Sequence, residues 1–125
     1  MEKIVVGPPN TSYSQGIVTD ARRLLFIAGQ VALDAEGRVV GLGDMTAQAR
    51  QVFENMRAIL EEAGGDLRNV VKITTFITNM AEFPAFAQVR REYFVTPLPA
   101  STTVEVTRLF REGLLVEVEA VAVFD

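Results

Sequence analysis

The sequence predicts an α+β fold: a mixed β-sheet with two helices packed on one face, in a single domain over residues 1–125. Three observations predict it. Near both ends of the chain, apolar residues alternate with the period of two that strands require. Between those ends, two stretches switch to the 3.6-residue spacing of amphipathic helices. The resulting order of strands, helix, strand, helix and strands sorts into one layer of each kind.

In order, Lys3 to Val6 is an apolar stretch suited to an edge strand, and Gly7-Pro8-Pro9-Asn10 breaks it. Gly16–Thr19 and Leu24–Ala28 follow as two strands across a turn at Asp20 to Arg23. Leu33 to Gly43 is a polar, glycine-rich loop with room for a brief strand at Val39-Val40. From Asp44 to Ala63 the period turns helical. Met45, Ala49, Val52, Phe53, Met56, Ile59, Leu60 and Ala63 form one stripe, while Gln48, Gln51, Glu54, Glu61 and Glu62 lie mostly off it. Asp44 or Thr46 can cap the start and Gly64-Gly65 can end the helix. Asn55 falls in an exposed or capping position. Asn69 to Asn79 is a strand by its β-branched content. Phe83 to Phe94 is a shorter helix with Phe86, Val89 and Tyr93 on one side, ended by Pro97 and Pro99. Two last strands, Thr102–Leu109 and Leu114–Phe124, form a closing hairpin across Arg111-Glu112-Gly113.

The strands at Leu24–Ala28 and Leu114–Phe124 ask for cover on both faces. Leu24, Phe26 and Ala28 alternate with Leu25 and Ile27. Val116, Val118, Ala120, Ala122 and Phe124 alternate with Glu117, Glu119, Val121 and Val123. Two helices cover only one face, so association with identical copies is expected.

Composition prunes the chemistry. The chain is 49% hydrophobic, which opposes disorder. No apolar run reaches the ~18 residues of a membrane span, and the N-terminus lacks a signal-peptide layout, so a cytoplasmic protein is expected. There is no Cys and no His. Disulfides, thiolate nucleophiles, Ser-His-Asp triads and imidazole acid–base pairs are thereby excluded. Carboxylates, Tyr, Lys and water are left for proton transfer. No cofactor or metal is expected. The net charge of −4 disfavours nucleic acid as a partner.

Five segments together resemble the RidA/YjgF family: TSYSQGIV from Thr11, FIAGQVALD from Phe26, AQARQVFENMRAILEEAGG from Ala47, PASTTVEVTRL from Pro99 and VEVEAVAV from Val116. The resemblance implies a chorismate-mutase-like subunit, a homotrimer whose sheets form a central barrel, and three intersubunit clefts that act on reactive enamines or imines. In such a cleft a Tyr, a Ser-Gly pair and a Glu face an Arg and an Asn from the adjacent subunit. The Arg forks the substrate carboxylate and the Glu orients water. Mapped residue by residue, Tyr13 matches the Tyr, Gly29 the Gly and Glu117 the Glu, with Glu119 beside it. The Ser becomes Ala28, the Asn becomes Ala87, and the Arg becomes Ser101. Arg90 and Arg91 lie three and four residues after Ala87, either as solvated helix arginines or as a replacement for the lost charge.

Three function classes follow from the resemblance. A cleft enzyme would hydrolyse an enamine or imine with Glu117 orienting water. With Ser101 in place of the arginine, it would be inefficient on 2-aminoacrylate and 2-imino acids. A non-catalytic trimer would bind or sense a metabolite in the same clefts. A ribonuclease or translation inhibitor is opposed by the acidic charge and the absence of His.

Overall fold

The computed structural model describes all 125 residues. Its strands are β1 (Lys3–Val6), β2 (Gly16–Thr19), β3 (Arg23–Val31), β4 (Val70–Ile77), β5 (Ala100–Glu105) and β6 (Val116–Phe124). Its helices are α1 (Met45–Glu62) and α2 (Phe83–Tyr93). Both expected helices are present. Asp44 caps α1 by accepting from the Ala47 N–H, and Gly64 follows the helix at φ +91°.

The main sheet runs β3-β6-β4-β5, with β4 and β5 parallel and the other pairs antiparallel. A parallel pair needs a crossover, and α2 supplies it between β4 and β5. That crossover overturns the expected closing hairpin. β5 lies outside β4, whereas β6 inserts between β3 and β4, so the last two strands never touch. Gly113 does take a positive φ of 93°, but in a connection that spans a neighbouring strand. β5 also begins earlier and ends sooner than expected. Likewise β2 pairs with β1 in a separate ribbon and not with β3.

The helices pack on one face of the sheet. Phe53 sits at the centre of that core, its ring within 5.7 Å of the centroids of Phe86, Tyr93 and Phe94. Met56, Leu60, Ile73, Ile77, Val116 and Val118 are fully enclosed around it. Two polar residues of α1 depart from the expected pattern. Gln48 is fully buried. It donates to the carbonyls of Gly41 (3.1 Å) and Gly113 (2.8 Å) and accepts from the Leu115 N–H (2.8 Å), so it ties two loops to the helix. Asn55 is half-buried and donates to Val31 and Leu33 at 3.1 and 3.0 Å, which fixes the exit of β3. Gln48→Ala should therefore lower stability by about 2 kcal/mol or more, because backbone groups lose partners and a void opens. Urea melts check this, and a midpoint unchanged from wild type would contradict it.

The opposite face of the sheet has no helix over it. Leu24, Phe26 and Val104 are 57%, 72% and 39% exposed there. Lys72, Thr74 and Glu119 stand among them. No helix is long and apolar enough to cross a membrane.

Candidate functional site

Ser101 sits on the edge strand β5, opposite Ile73 of β4 in the parallel register. Ile73 is fully buried beneath the helices, so Ser101 shares the helix side of the sheet. α2 crosses just above and carries Ala87 and Arg90 inward. Arg90 is only 6% exposed. Its Nη1 donates to Ser101 Oγ at 3.4 Å, and its Nε is buried with no partner. The guanidinium carbon stands 5.6 Å from the Phe83 ring centroid and 6.0 Å from that of Phe86, within cation–π range. Burial pushes the Arg90 pKa down, the nearby charge of Arg91 adds to this, and no carboxylate opposes it. The two arginines thus divide. Arg91 is solvated, as a helix arginine normally is, but Arg90 is a nearly enclosed, unpaired cation.

Tyr13 joins the same wall. The neighbouring Ser14 N–H donates to Pro99 O at 3.1 Å, and the Ser14 hydroxyl donates to Leu98 O. These bonds pin the Tyr13 segment to the chain that enters β5. Tyr13, Ala87, Arg90, Arg91 and Ser101 line one hollow of about 370 Å³. In the intersubunit cleft that the family resemblance implies, Tyr13 stands with the Glu and across from Ser101 and Ala87; within one protomer it borders the hollow that holds Ser101 and Ala87. A second hollow, of about 340 Å³, shares Arg90 and Ser101 with the first, and there Ile73, Phe94, Val95 and Leu98 supply apolar surface.

Ala28, Gly29, Glu117 and Glu119 lie elsewhere. β3 carries one extra residue against β6: Ile27 faces Ala120, but Gln30 faces Val118. The bulge falls on Ala28-Gly29, a common device beside functional sites. Gly29 leaves space that Glu117 fills. A Cβ built on Gly29 would lie 1.9 Å from Glu117 Oε2 and 2.9 Å from its Cγ. The half-buried Glu117 carboxylate makes no ion pair within its own protomer. Glu119 is exposed two residues along the same strand face and borders a shallow hollow with Phe26, Ala28 and Lys72. A carboxylate so placed can accept a proton from water.

The two halves sit on opposite sides of the sheet. Glu117 is paired with Phe76, Ser101 with Ile73, and side chains three residues apart on β4 point to opposite faces. Two strand spacings and three residues of rise put the two backbones roughly 14 Å apart. One small molecule cannot touch both within one protomer. The sequence alone points to neither the bulge nor the anchoring by Ser14, because both depend on distant pairing partners.

Comparison with known proteins gives a consistent picture. The family model for Endoribonuclease L-PSP matches residues 6–124. A RutC family protein of Pyrococcus horikoshii is 43% identical over 117 residues, covering 94% of this chain and 87% of that protein. A mouse 2-iminobutanoate/2-iminopropanoate deaminase is 37% identical over 118 residues, covering 94% of this chain and 82% of the enzyme. The crystal structure of YyfB, a Rid-family protein of unknown function from Yersinia pestis, superimposes with a TM-score of 0.89 at 32% identity, covering 99% of this chain and 100% of the other.

Proposed function

This chain belongs to the Endoribonuclease L-PSP (RidA/YjgF) family, and from that membership we propose that it is a homotrimer whose intersubunit clefts hydrolyse an enamine or imine metabolite. The observation that carries this reading is the division of the site. The Glu117 half and the Ser101 half occupy opposite faces of one sheet; Glu117 has no ion pair and Arg90 Nε no hydrogen-bond partner within the protomer. A neighbour that laid its β5 edge across the open face would bring the halves together and cover Leu24 and Phe26.

In the joined cleft, water held by Glu117 attacks the imine carbon. The carbon–oxygen bond forms as Glu117 takes a proton from the water. Glu117 passes that proton to the nitrogen to complete the carbinolamine, then carries the hydroxyl proton to the nitrogen as the carbon–nitrogen bond breaks, which releases ammonia and a carbonyl product. A serine hydroxyl cannot supply the charged fork that an arginine at position 101 would give. Small 2-imino acids, 2-iminopropanoate among them, are therefore expected to be poor substrates.

The test generates imines in place, from a dehydratase acting on an amino acid, and follows ammonia. Hydrolysis above the buffer rate supports the enzyme reading. No hydrolysis of any imine, with metabolite binding retained, makes the protein a non-catalytic binder. Two further outcomes are expected. Sedimentation should give a trimer, and a stable monomer would remove the shared cleft. Gly29→Ala should fold normally yet lower turnover at least about tenfold, because its methyl group evicts the Glu117 carboxylate from a position that catalysis depends on. Unchanged turnover would contradict that placement.

A further inference from the structure

We propose that Arg90 is the anion-holding residue of this cleft, and that the ligand it selects is a monocarboxylate carrying an apolar branch. The inference rests on the intersubunit small-molecule site above and deepens it. An enclosed guanidinium without a counter-ion is costly to keep, because burial removes its hydration and nothing restores it. Arg90 has only the long Ser101 contact, two ring faces and a wholly unpartnered Nε. Arg90 lines two hollows, of about 370 and 340 Å³, that share Ser12, Arg90, Arg91 and Ser101. Neither hollow is lined by a carboxylate that could neutralise it. An unpaired guanidinium that lines such hollows is suited to a carboxylate, which it can hold through two parallel hydrogen bonds.

The apolar part of the ligand follows from the second hollow. Ile73, Phe94, Val95, Leu98 and Pro99 line it beside the guanidinium. The short side chain of Ser101 leaves this hollow open to Arg90. A carboxylate on Arg90 can thus set a branched or aromatic side chain against that apolar wall. The charge comes from α2 and not from β5, so the ligand enters at a different angle from one clamped at position 101.

The experiment uses two probes on the assembled wild-type protein: 4-methyl-2-oxopentanoate and its uncharged methyl ester, each titrated by calorimetry or NMR. Wild type should bind the anion at least about tenfold more tightly than the ester, as expected for charge-assisted over neutral hydrogen bonds. Arg90→Met should erase that preference while leaving ester binding within about threefold. Arg90→Lys should restore part of it as a point charge without the fork. Arg38 lines neither hollow, and Arg38→Met should leave the preference unchanged. If Arg90→Met fails to assemble, Arg90→Lys and Arg90→Gln give the same comparison of charge against shape. No preference in wild type, or one that survives loss of the Arg90 charge, overturns the proposal. The two readings fail separately. Imine turnover without anion preference leaves the enzyme standing and removes Arg90. Anion preference without any imine turnover does the reverse.

Discussion

Glu117→Gln should abolish imine hydrolysis while leaving the oligomer and its melting temperature near those of wild type. The amide has nearly the same shape, so it fits the space left by Gly29, but it cannot take a proton from water at neutral pH. General-base assistance typically contributes about 10²–10⁴-fold, and a loss of that order is expected here. Little stability is at stake, because Glu117 forms no ion pair in its own protomer. Glu119→Gln is the internal control. It lies on the same strand face but is solvent-exposed, and its turnover should fall less than about threefold, as for a residue away from the reacting atoms. Equal losses in the two variants would show a general effect of charge on that face and would remove the specific role of Glu117.

The second large effect concerns the lost clamp. From the sequence alone, Ser101→Arg by itself restores a fork for small 2-imino acids. Arg90 changes that expectation. Its Nη1 already lies 3.4 Å from the Ser101 hydroxyl, so a second guanidinium there meets a like charge in a poorly hydrated place. Two such charges at about 4 Å repel by ~1 kcal/mol in water and ~4 kcal/mol at the effective dielectric of protein surfaces. Ser101→Arg alone should therefore destabilise the protein and gain little activity. Ser101→Arg with Arg90→Met should recover stability and raise turnover of 2-iminopropanoate at least about tenfold over wild type, because a charged fork then positions the substrate against a prepared water. Ala28→Ser and Ala87→Asn added to this pair should help further, each by about 1 kcal/mol through a restored polar contact. A single Ser101→Arg variant that is both stable and active would show that the two cations do not share one space.

The helices were legible because their signal is local. The stripe from Met45 to Leu60 repeats every turn, and Asp44 and Gly64 mark its ends by chemistry contained in a few residues. Pairing was not legible. The Arg111-Glu112-Gly113 segment has turn composition, yet nothing in it shows that β4 lies between the strands it joins. The two-sided apolar pattern of β6 was the usable clue, since a strand with neighbours on both edges and apolar residues on both faces belongs at the centre of a sheet. The candidate site divides the same way. Gly29 and Glu117 could be named from their segments, but the bulge that brings them together depends on the register between β3 and β6. Arg90 illustrates a different failure. Its spacing from Ala87 placed it on the inward face, while the usual exposure of arginine argued for solvent. Here the hollow beside Ser101 and the rings of Phe83 and Phe86 decide for burial.

Each cleft is expected to take Glu117 from one protomer and Arg90 from another. Complementation between Glu117→Gln and Arg90→Met tests this, assayed on the imine of 4-methyl-2-oxopentanoate, the branched anion that each variant alone is expected to turn over poorly. Glu117→Gln and Arg90→Met protomers, co-refolded at equal ratio, should form hybrid trimers in which some clefts receive both wild-type residues. If protomers mix randomly and each cleft draws one residue from either neighbour, about a quarter of the clefts are intact, and activity should return to about a quarter of wild type. Activity that stays at the level of the separate variants, in samples shown by mass spectrometry to contain hybrids, would place both residues in the service of one protomer and contradict the shared cleft.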